Sequence, residues 1–367
     1  MMNVTNPEII YYLVLGGSFC TTLMLGYIMQ RTNFCTMGAI SDFFLMGSLT
    51  RARQWVLAIA VSILGVGFLK YFQLIILDDS IYVAPKVLWL SVLLGSLMFG
   101  FGMVFASGCA GRNLMRIGSG SIRALVVVIF TGLFAQMTLR GIFAVIRVNT
   151  VDQVFFTLPS NQDLMSIFQQ LLHFSPFVTL VMTILIGLSL ILWVFVDKKF
   201  WTLENCLIGL FVGICIICFW LLVGYFGFLE EDPNTLEKAY LATNTNRLEM
   251  VSFVAPIAYL LDYLTLFSDA SKKVTLGIVS IFGMMGGSFL AVNFHQTWRW
   301  QGFTSFSDLS RHLVGAALMG VGGVTALGCT FGQGLSGIST LSISSLIAIT
   351  GFIGGAYVAL KYLESKN

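Results

Sequence analysis

Nine stretches of the chain are apolar at almost every position, near residues 9–28, 55–77, 87–107, 122–146, 176–196, 205–228, 274–294, 312–328 and 343–361. Each is close to the roughly 20 residues an α-helix needs to cross the hydrocarbon core of a bilayer. The pattern predicts nine membrane-crossing helices. Asn, Thr and Glu precede the first stretch where a secretory leader would carry basic residues, and no small-residue cleavage site follows. It reads as a retained helix.

Four intervening pieces break this rhythm. Residues 30–48 are moderately apolar but hold Arg31, Asn33, Cys35, Ser41 and Asp42, and residues 111–121 are polar and glycine-rich. Residues 247–267 and the piece that follows Cys329 are similar. All are short for a span. Non-helical backbone survives at membrane depth only where protein or a watery cavity satisfies it, so these four are expected to be re-entrant loops with half-helices.

One constant offset in numbering superposes Gly95, Gly100, Gly102, Val104, Ala106, Gly108 and Cys109 on Gly315, Gly320, Gly322, Val324, Ala326, Gly328 and Cys329. The same offset places Asp42 on Asp262, Thr32 on Ser252 and Gly67 on Gly287, and sets Ala255 where the first half has Cys35. The chain reads as internally duplicated. Each half has four spans and two re-entrant pieces, and the fifth span between them is an odd crossing, so the second half enters from the opposite side. The expected organisation is an all-α polytopic protein: a first membrane repeat over 1–147, a connecting loop and linker helix over 148–200, and an inverted second repeat over 201–367. Inverted repeats with broken helices hold solutes near the midplane, where the repeats meet.

Hydrophobic residues make up 57% of the 367 and charged ones 10%, against about half and a quarter in soluble domains. That leaves no large soluble domain, and the lipid bilayer is the medium. A net charge of +3 with scattered basic residues excludes nucleic acid as a partner. Placing the N-terminus outside puts 12 of the 20 Lys and Arg on the inside, with Lys272 and Lys273 against the rule. No G-x-x-x-x-G-K-[ST] motif points to ATP-driven pumping by this chain.

Candidate chemistry gathers in the re-entrant pieces. Gly108-Cys109-Ala110-Gly111 and Gly328-Cys329-Thr330-Phe331-Gly332-Gln333-Gly334 have the composition of a tight turn opening a short helix. Free N–H groups and the helix dipole at such a start favour an anion. A thiol there either donates as a neutral S–H or has its pKa lowered toward thiolate; a negative substrate favours the neutral form. Cys35, Cys109 and Cys329 occupy such places. Cys20, Cys206, Cys215 and Cys218 read as small hydrophobes. The Cys215-Cys218 pair is a C-x-x-C alone in an apolar helix, without the partners a metal site needs, and no cofactor or metal is expected. His295 and His312, near Trp298, Arg299 and Trp300, read as interface anchors. Arg112 either supplies charge to an anion or meets the headgroups. Asp42 and Asp262 are expected to cap a half-helix or bind a neighbouring Arg.

Arg31-Thr32-Asn33-Phe34-Cys35, Ser107-Gly108-Cys109-Ala110-Gly111 and Gly328-Cys329-Thr330-Phe331-Gly332-Gln333-Gly334 resemble the YeeE/YedE family of sulfur-compound permeases, some of which take up thiosulfate. The resemblance covers essentially the whole chain. It implies an hourglass-shaped protein of the bacterial inner membrane that hands thiosulfate between thiols, here Cys35, Cys109 and Cys329, and a small cytoplasmic sulfur-carrier protein as partner. Asn33, Gly108, Gly111, Arg112, Gly328, Gly332 and Gln333 complete the expected substrate-binding set. The second loop departs from the family pattern: Ala-Gly-Arg-Asn follows Gly-Cys where thiosulfate permeases carry small hydroxyl residues and an aromatic. The expected function is uptake of thiosulfate or a related small sulfur-containing anion, not enzymatic. A selenium-compound transporter and a membrane thiol redox or sulfurtransferase component are the alternatives.

Overall fold

The computed structural model describes residues 6–232, 236–269 and 271–366. The chain forms α1 (Pro7–Thr32), α2 (Thr36–Met46), α3 (Thr50–Tyr71), α4 (Trp89–Phe105), α5 (Ala110–Gly118), α6 (Ile122–Arg140), α7 (Ile142–Asn149), α8 (Leu164–Leu172), α9 (Pro176–Phe195), α10 (Leu203–Leu221), α11 (Val254–Thr265), α12 (Leu276–Phe294), α13 (Phe306–Thr325) and α14 (Ile343–Glu364). Among the described residues, strand is confined to two short antiparallel ladders, Lys86–Val87 with Phe156–Thr157 and Phe228–Leu229 with Ala239–Tyr240. Local chemistry sets the ends. Asn6 accepts from the N–H of Glu8 and Pro7 opens α1, which closes on Asn33 in the left-handed region (φ 54°). Gly47 closes α2 in the same way (φ 64°).

Among the described residues, eight helical segments are long and apolar enough to cross a membrane. The ninth expected span is α13. Asp308, Arg311 and His312 in its first turns lower its hydropathy, yet its 20 residues pack along α4 and α6. It starts at Phe306 and not near residue 312, because Ser305 caps it by accepting from the Asp308 N–H at 3.1 Å. Other boundaries shift for local reasons. Gly141 divides the fourth apolar stretch into α6 and α7, and the sixth ends in a π-turn over Leu222–Phe226. The four broken pieces appear as α2, α5, α11 and a π/3₁₀ segment over Gly332–Thr340.

Helix packing follows the repeat. The α1–α12 contact recurs as α3–α10, and α4–α14 recurs as α6–α13, while α4 and α13 pack on each other. Small residues allow these approaches in lipid, where packing and not apolar burial drives helix association. A Cβ on Gly315 would lie 2.6 Å from the Ala106 nitrogen and 2.7 Å from the Gly102 oxygen. Trp220, Phe34, Phe99, Phe219, Phe253 and Phe331 fill the interior, whereas Leu185, Leu188 and Leu192 of α9 are exposed to the bilayer. Several buried hydroxyls bond carbonyls of their own helices, as in Thr22 to the Ser18 carbonyl at 2.7 Å and Ser280 to the Leu276 carbonyl at 2.7 Å.

Two faces result. One gathers the start of α1 with residues 72–88, 150–175, 227–232, 236–250, 266–269 and 271–275, tied by Tyr11 Oη to the Val274 carbonyl, Lys86 to Thr157, Ser80 to Leu248 and Asp163 to Ser342. The other gathers the loops at 47–49, 119–121, 196–202 and 295–305, tied by Ser121 to Gln301 and Arg123 to Asp308. The stretch at 148–175, expected as a surface loop with an interfacial helix, is partly buried. Gln162 and Asp163 are 2% and 1% exposed, because Gln162 bonds Ser344 and the Leu164 N–H bonds the Leu341 carbonyl. Asp42 and Asp262 meet basic partners as expected, Arg51 for the first and Arg140 with Lys272 for the second.

Gly315→Ala is expected to destabilise the protein by about 1–3 kcal/mol through overpacking. Gly286→Ala, where an added Cβ meets nothing within 4 Å, should leave thermal unfolding in detergent unchanged, and equal midpoints for the two variants would contradict the packing described.

Candidate functional site

Cys109 lies where α4 stops and α5 begins. The turn before it forces Ser107 to φ 56°, and two side chains of α5 hold that turn. Asn113 Nδ2 donates to the carbonyls of Gly108 (2.9 Å) and Cys109 (3.2 Å), and Arg116 Nη1 donates to the Ser107 carbonyl at 2.7 Å. Buried backbone acceptors left open cost free energy, so the loop keeps its shape only while these donors are present. Cys109 is the N-cap residue of α5, and the Arg112 backbone N–H faces its sulfur. Cys35 likewise is the N-cap residue of α2, with the Gly38 N–H facing its sulfur.

These two half-helix starts come together. The Cys35 and Cys109 side chains interact directly, with Thr330 beside Cys109 and the charges of Arg112 and Arg116 acting on Cys35. Arg112 Nη2 donates to Asn33 Oδ1 at 2.9 Å, while its Nη1 is buried with no partner among the described residues. Thr36 Oγ1 and Trp55 Nε1 are also buried without partners among the described residues, and the Thr330 hydroxyl faces the Cys109 sulfur. Unpaired buried donors are costly in a folded protein, so a guanidinium nitrogen left open beside the two thiols is a feature the fold bears at a cost.

Cys329 forms a second centre. Leu327 (φ 58°) and Gly328 (φ 157°) make the turn, the latter in a region that favours glycine. Gln333, which the repeat pairs with Asn113, holds this turn in the same way. Its Nε2 donates to the carbonyls of Ala326 (3.0 Å) and Leu327 (3.3 Å), and its Oε1 accepts from Ser345 Oγ at 2.6 Å. The Gln333 amide is therefore engaged at both ends in shaping the loop. Ser252 Oγ stands 3.6 Å from Cys329 Sγ. The repeat register sets Ala255 opposite Cys35, but α11 starts two positions earlier than that register implies, with Phe253 at its cap, and Ser252, one residue before the cap, meets the second-half thiol. A cavity of about 280 Å³, lined in part by Tyr82, Glu249, Ser252, Tyr259 and Gly328, reaches this centre from the face that holds the start of α1.

Aromatic rings lie between the two centres. Phe34 stacks on Trp55 (4.9 Å), Trp55 meets Phe331 edge-on (5.9 Å), and Phe331 meets Phe253 (5.2 Å). Gly111 closes against them, since a Cβ there would stand 3.1 Å from Phe253 and 3.4 Å from Phe331. Gly108 is held under Arg112 and Gly332 under Ser252 and the Tyr82 hydroxyl, at 3.1, 3.0 and 3.4 Å from an added Cβ. A second cavity, about 260 Å³, reaches Thr330 and Trp55 from the side, but Phe43, Phe44, Ile40 and Ile353 give it an apolar lining unsuited to a charged solute.

Thus Cys35, Cys109, Asn33, Gly108, Gly111 and Arg112 meet at one centre, and Cys329, Gly328, Gly332 and Gln333 at the other. Tyr82, Ser252, Trp55 and Thr330 were not legible as site residues. Ser252 carried a signal in its repeat pairing with Thr32, and Thr330 in its place directly after Cys329 in the glycine-turn motif. The His312 ring bonds the Asp308 carbonyl at 2.7 Å and lies away from both centres.

Membrane-crossing helices that carry thiols on broken-helix starts at the interior, in two repeat-related centres, define a polytopic membrane protein of the kind that passes solutes through its middle. The chain belongs to the sulphur transport family, whose profile matches residues 31–358. It is 26% identical over 361 residues to the thiosulfate transporter TsuA of Escherichia coli, covering 95% of this chain and 94% of that protein. The thiosulfate transporter TsuA of Spirochaeta thermophila is 24% identical over 351 residues, 90% of this chain and 94% of that one. The probable transporter YedE of Salmonella typhimurium is 31% identical over 110 residues, 29% of this chain and 25% of that protein.

Asn113→Leu and Gln333→Leu each free two backbone carbonyls and are expected to cost about 1–3 kcal/mol. The adjacent thiols should also react faster with a membrane-permeant maleimide. Unchanged labelling of Cys109 and Cys329 would show that the amides do not hold the loops.

Proposed function

We propose that this protein is a permease that carries thiosulfate inward across the bacterial inner membrane. The observation that carries the reading is the Cys35–Cys109 pair beside a guanidinium whose buried Nη1 has no partner among the described residues. Family membership and the full-length likeness to two thiosulfate transporters support it. Leaving aside Arg112 and Arg116 at the thiol centre, ten basic residues lie in loops and helix ends on the α14 C-terminal side against eight on the other, which favours that face as cytoplasmic. The two halves, 1–147 and 201–367, act as inverted repeats around the paired centres, with 148–200 as connector.

In this reading the dianion enters the cavity lined by Tyr82, Ser252 and Tyr259 and meets Cys329. Hydroxyls and a neutral thiol replace part of its hydration without the repulsion a thiolate would exert. The rings of Phe34, Trp55, Phe253 and Phe331 prevent a continuous water column, so the anion passes from one centre to the other by small side-chain movements. At the second centre the Cys35 and Cys109 thiols, the donors of Thr330 and Arg112 and the half-helix N-termini receive it. Thiol sulfur is a weak donor and acceptor, which keeps binding shallow enough for release toward a small cytoplasmic sulfur-carrier protein. The direct Cys35–Cys109 contact is also what a thiol redox component would use, and that alternative requires a covalent sulfur adduct or a disulfide during turnover.

Vesicles carrying the wild type are expected to accumulate radiolabelled thiosulfate, Cys109→Ser to lose at least ten-fold in rate, and Arg112→Gln to lose affinity more than maximal rate. Sulfate and selenite as competitors rank the substrates. A folded wild type that accumulates no label refutes the thiosulfate reading, and a mass increase of about one sulfur on a cysteine after turnover supports the redox alternative.

A further inference from the structure

A cavity of about 210 Å³, apart from both thiol centres, lies between α3, α9 and the end of the Gly332–Thr340 segment, with Lys70, Gln73, Asp163, Thr179, Thr183 and Thr340 in its lining. Asp163 dominates it. Its side chain is 2% exposed, and its two carboxylate oxygens are treated unequally. Oδ2 accepts from Lys70 Nζ (2.7 Å), the Ser166 N–H (3.1 Å) and Ser166 Oγ (2.8 Å). Oδ1 is buried and meets no donor among the described residues.

No other carboxylate oxygen among the described residues is in that condition. Asp42 is taken by Arg51, Asp152 by Arg147, Asp262 by Arg140 and Lys272, and Asp308 by Arg123 and Arg311. Glu249 accepts the N–H groups of Asn244 and Thr245. A buried anionic oxygen without a partner destabilises the fold unless a ligand meets it. Two hydroxyls of the cavity are set to complement such a ligand. Thr183 Oγ1 gives its proton to the Thr179 carbonyl (2.9 Å) and Thr340 Oγ1 gives its proton to the Gly337 carbonyl (2.7 Å), so each has only lone pairs left. A carboxylate oxygen with hydroxyl lone pairs and backbone carbonyls is a hard-oxygen set, suited to a small metal cation.

We propose that this cavity binds a sodium ion on Asp163 Oδ1, in competition with Lys70. Lys70 is 31% exposed and has Ser166 Oγ as a second acceptor at 2.9 Å, so it can yield its hold on the carboxylate as the cation arrives. Occupancy reaches the Cys329 segment by backbone bonds. The Leu164 N–H donates to the Leu341 carbonyl (3.2 Å), the Ile343 N–H donates to the Gln162 carbonyl (3.1 Å), and Asp163 bridges to Ser342. The purpose of such a site rests on the proposed inward movement of a dianion, since an inside-negative potential opposes each negative charge that enters and a co-transported cation offsets it.

The test begins with binding, without thiosulfate. Purified wild-type protein in detergent is titrated with NaCl against choline chloride at constant ionic strength, and thermal unfolding is followed. Sodium should raise the midpoint saturably and choline should not. Asp163→Asn keeps a good N-cap for α8 and should fold but show no sodium-specific shift. Lys70→Met removes the competitor and should bind sodium at least ten-fold more tightly. A sodium shift that survives in Asp163→Asn, or the absence of one in the wild type, overturns the site. Uptake in vesicles with and without an inward sodium gradient then separates the two readings: protein that binds sodium at Asp163 but moves no thiosulfate leaves the site standing and refutes the transport reading.

Discussion

The structure depends on one constraint: within a bilayer every backbone N–H and C=O must find a partner inside the protein. A site for a charged solute needs irregular backbone at depth, and irregular backbone there exposes carbonyls. This chain meets the conflict twice with the same device. Asn113 and Gln333 reach back from the segment after each Gly-Cys turn and bond the carbonyls the turn exposes. The thiols of Cys109 and Cys329 are thereby presented at broken-helix starts without open acceptors around them.

The repeat supplies the two devices, and divergence gives them different surroundings. In one centre two thiols face each other beside Arg112; in the other a serine takes the place of the second thiol. The first therefore offers two sulfurs and a cation, the second one sulfur and hydroxyls, with aromatic rings between. Elsewhere buried acids are met by basic side chains or, for Glu249, by backbone N–H groups, and Asp163, though paired with Lys70, leaves one oxygen open.

Departures from the expected boundaries share a cause. α13 begins early because Ser305 caps it, Gly141 splits one apolar stretch, and α11 starts two positions off the strict repeat register. Hydropathy averages over such features, since a single cap or glycine hardly alters the mean of a helix-length window. The segment 148–175 looked like a surface loop because it is polar. It is instead drawn inward by bonds from Gln162 and Asp163 to the chain beyond the last re-entrant piece, partners so distant in sequence that no local pattern encodes them.

What the sequence by itself determined was the set of apolar stretches, the internal repeat and the three thiols in glycine turns. Bilayer thickness, the repeat register and the demands of tight turns are each local or periodic, and so are written residue by residue. Only the tertiary structure decided which thiols meet. Cys35 pairs with Cys109 across the whole of α3 and α4, and Ser252 pairs with Cys329 across α12 and α13. These pairs form because α2 and α11 fold back against loops from other elements. The same holds for Tyr82, Trp55 and Asp163, whose neighbours lie far along the chain. Contacts between distant segments depend on how whole helices pack, and packing is a property of the assembled bundle that no single stretch of sequence carries.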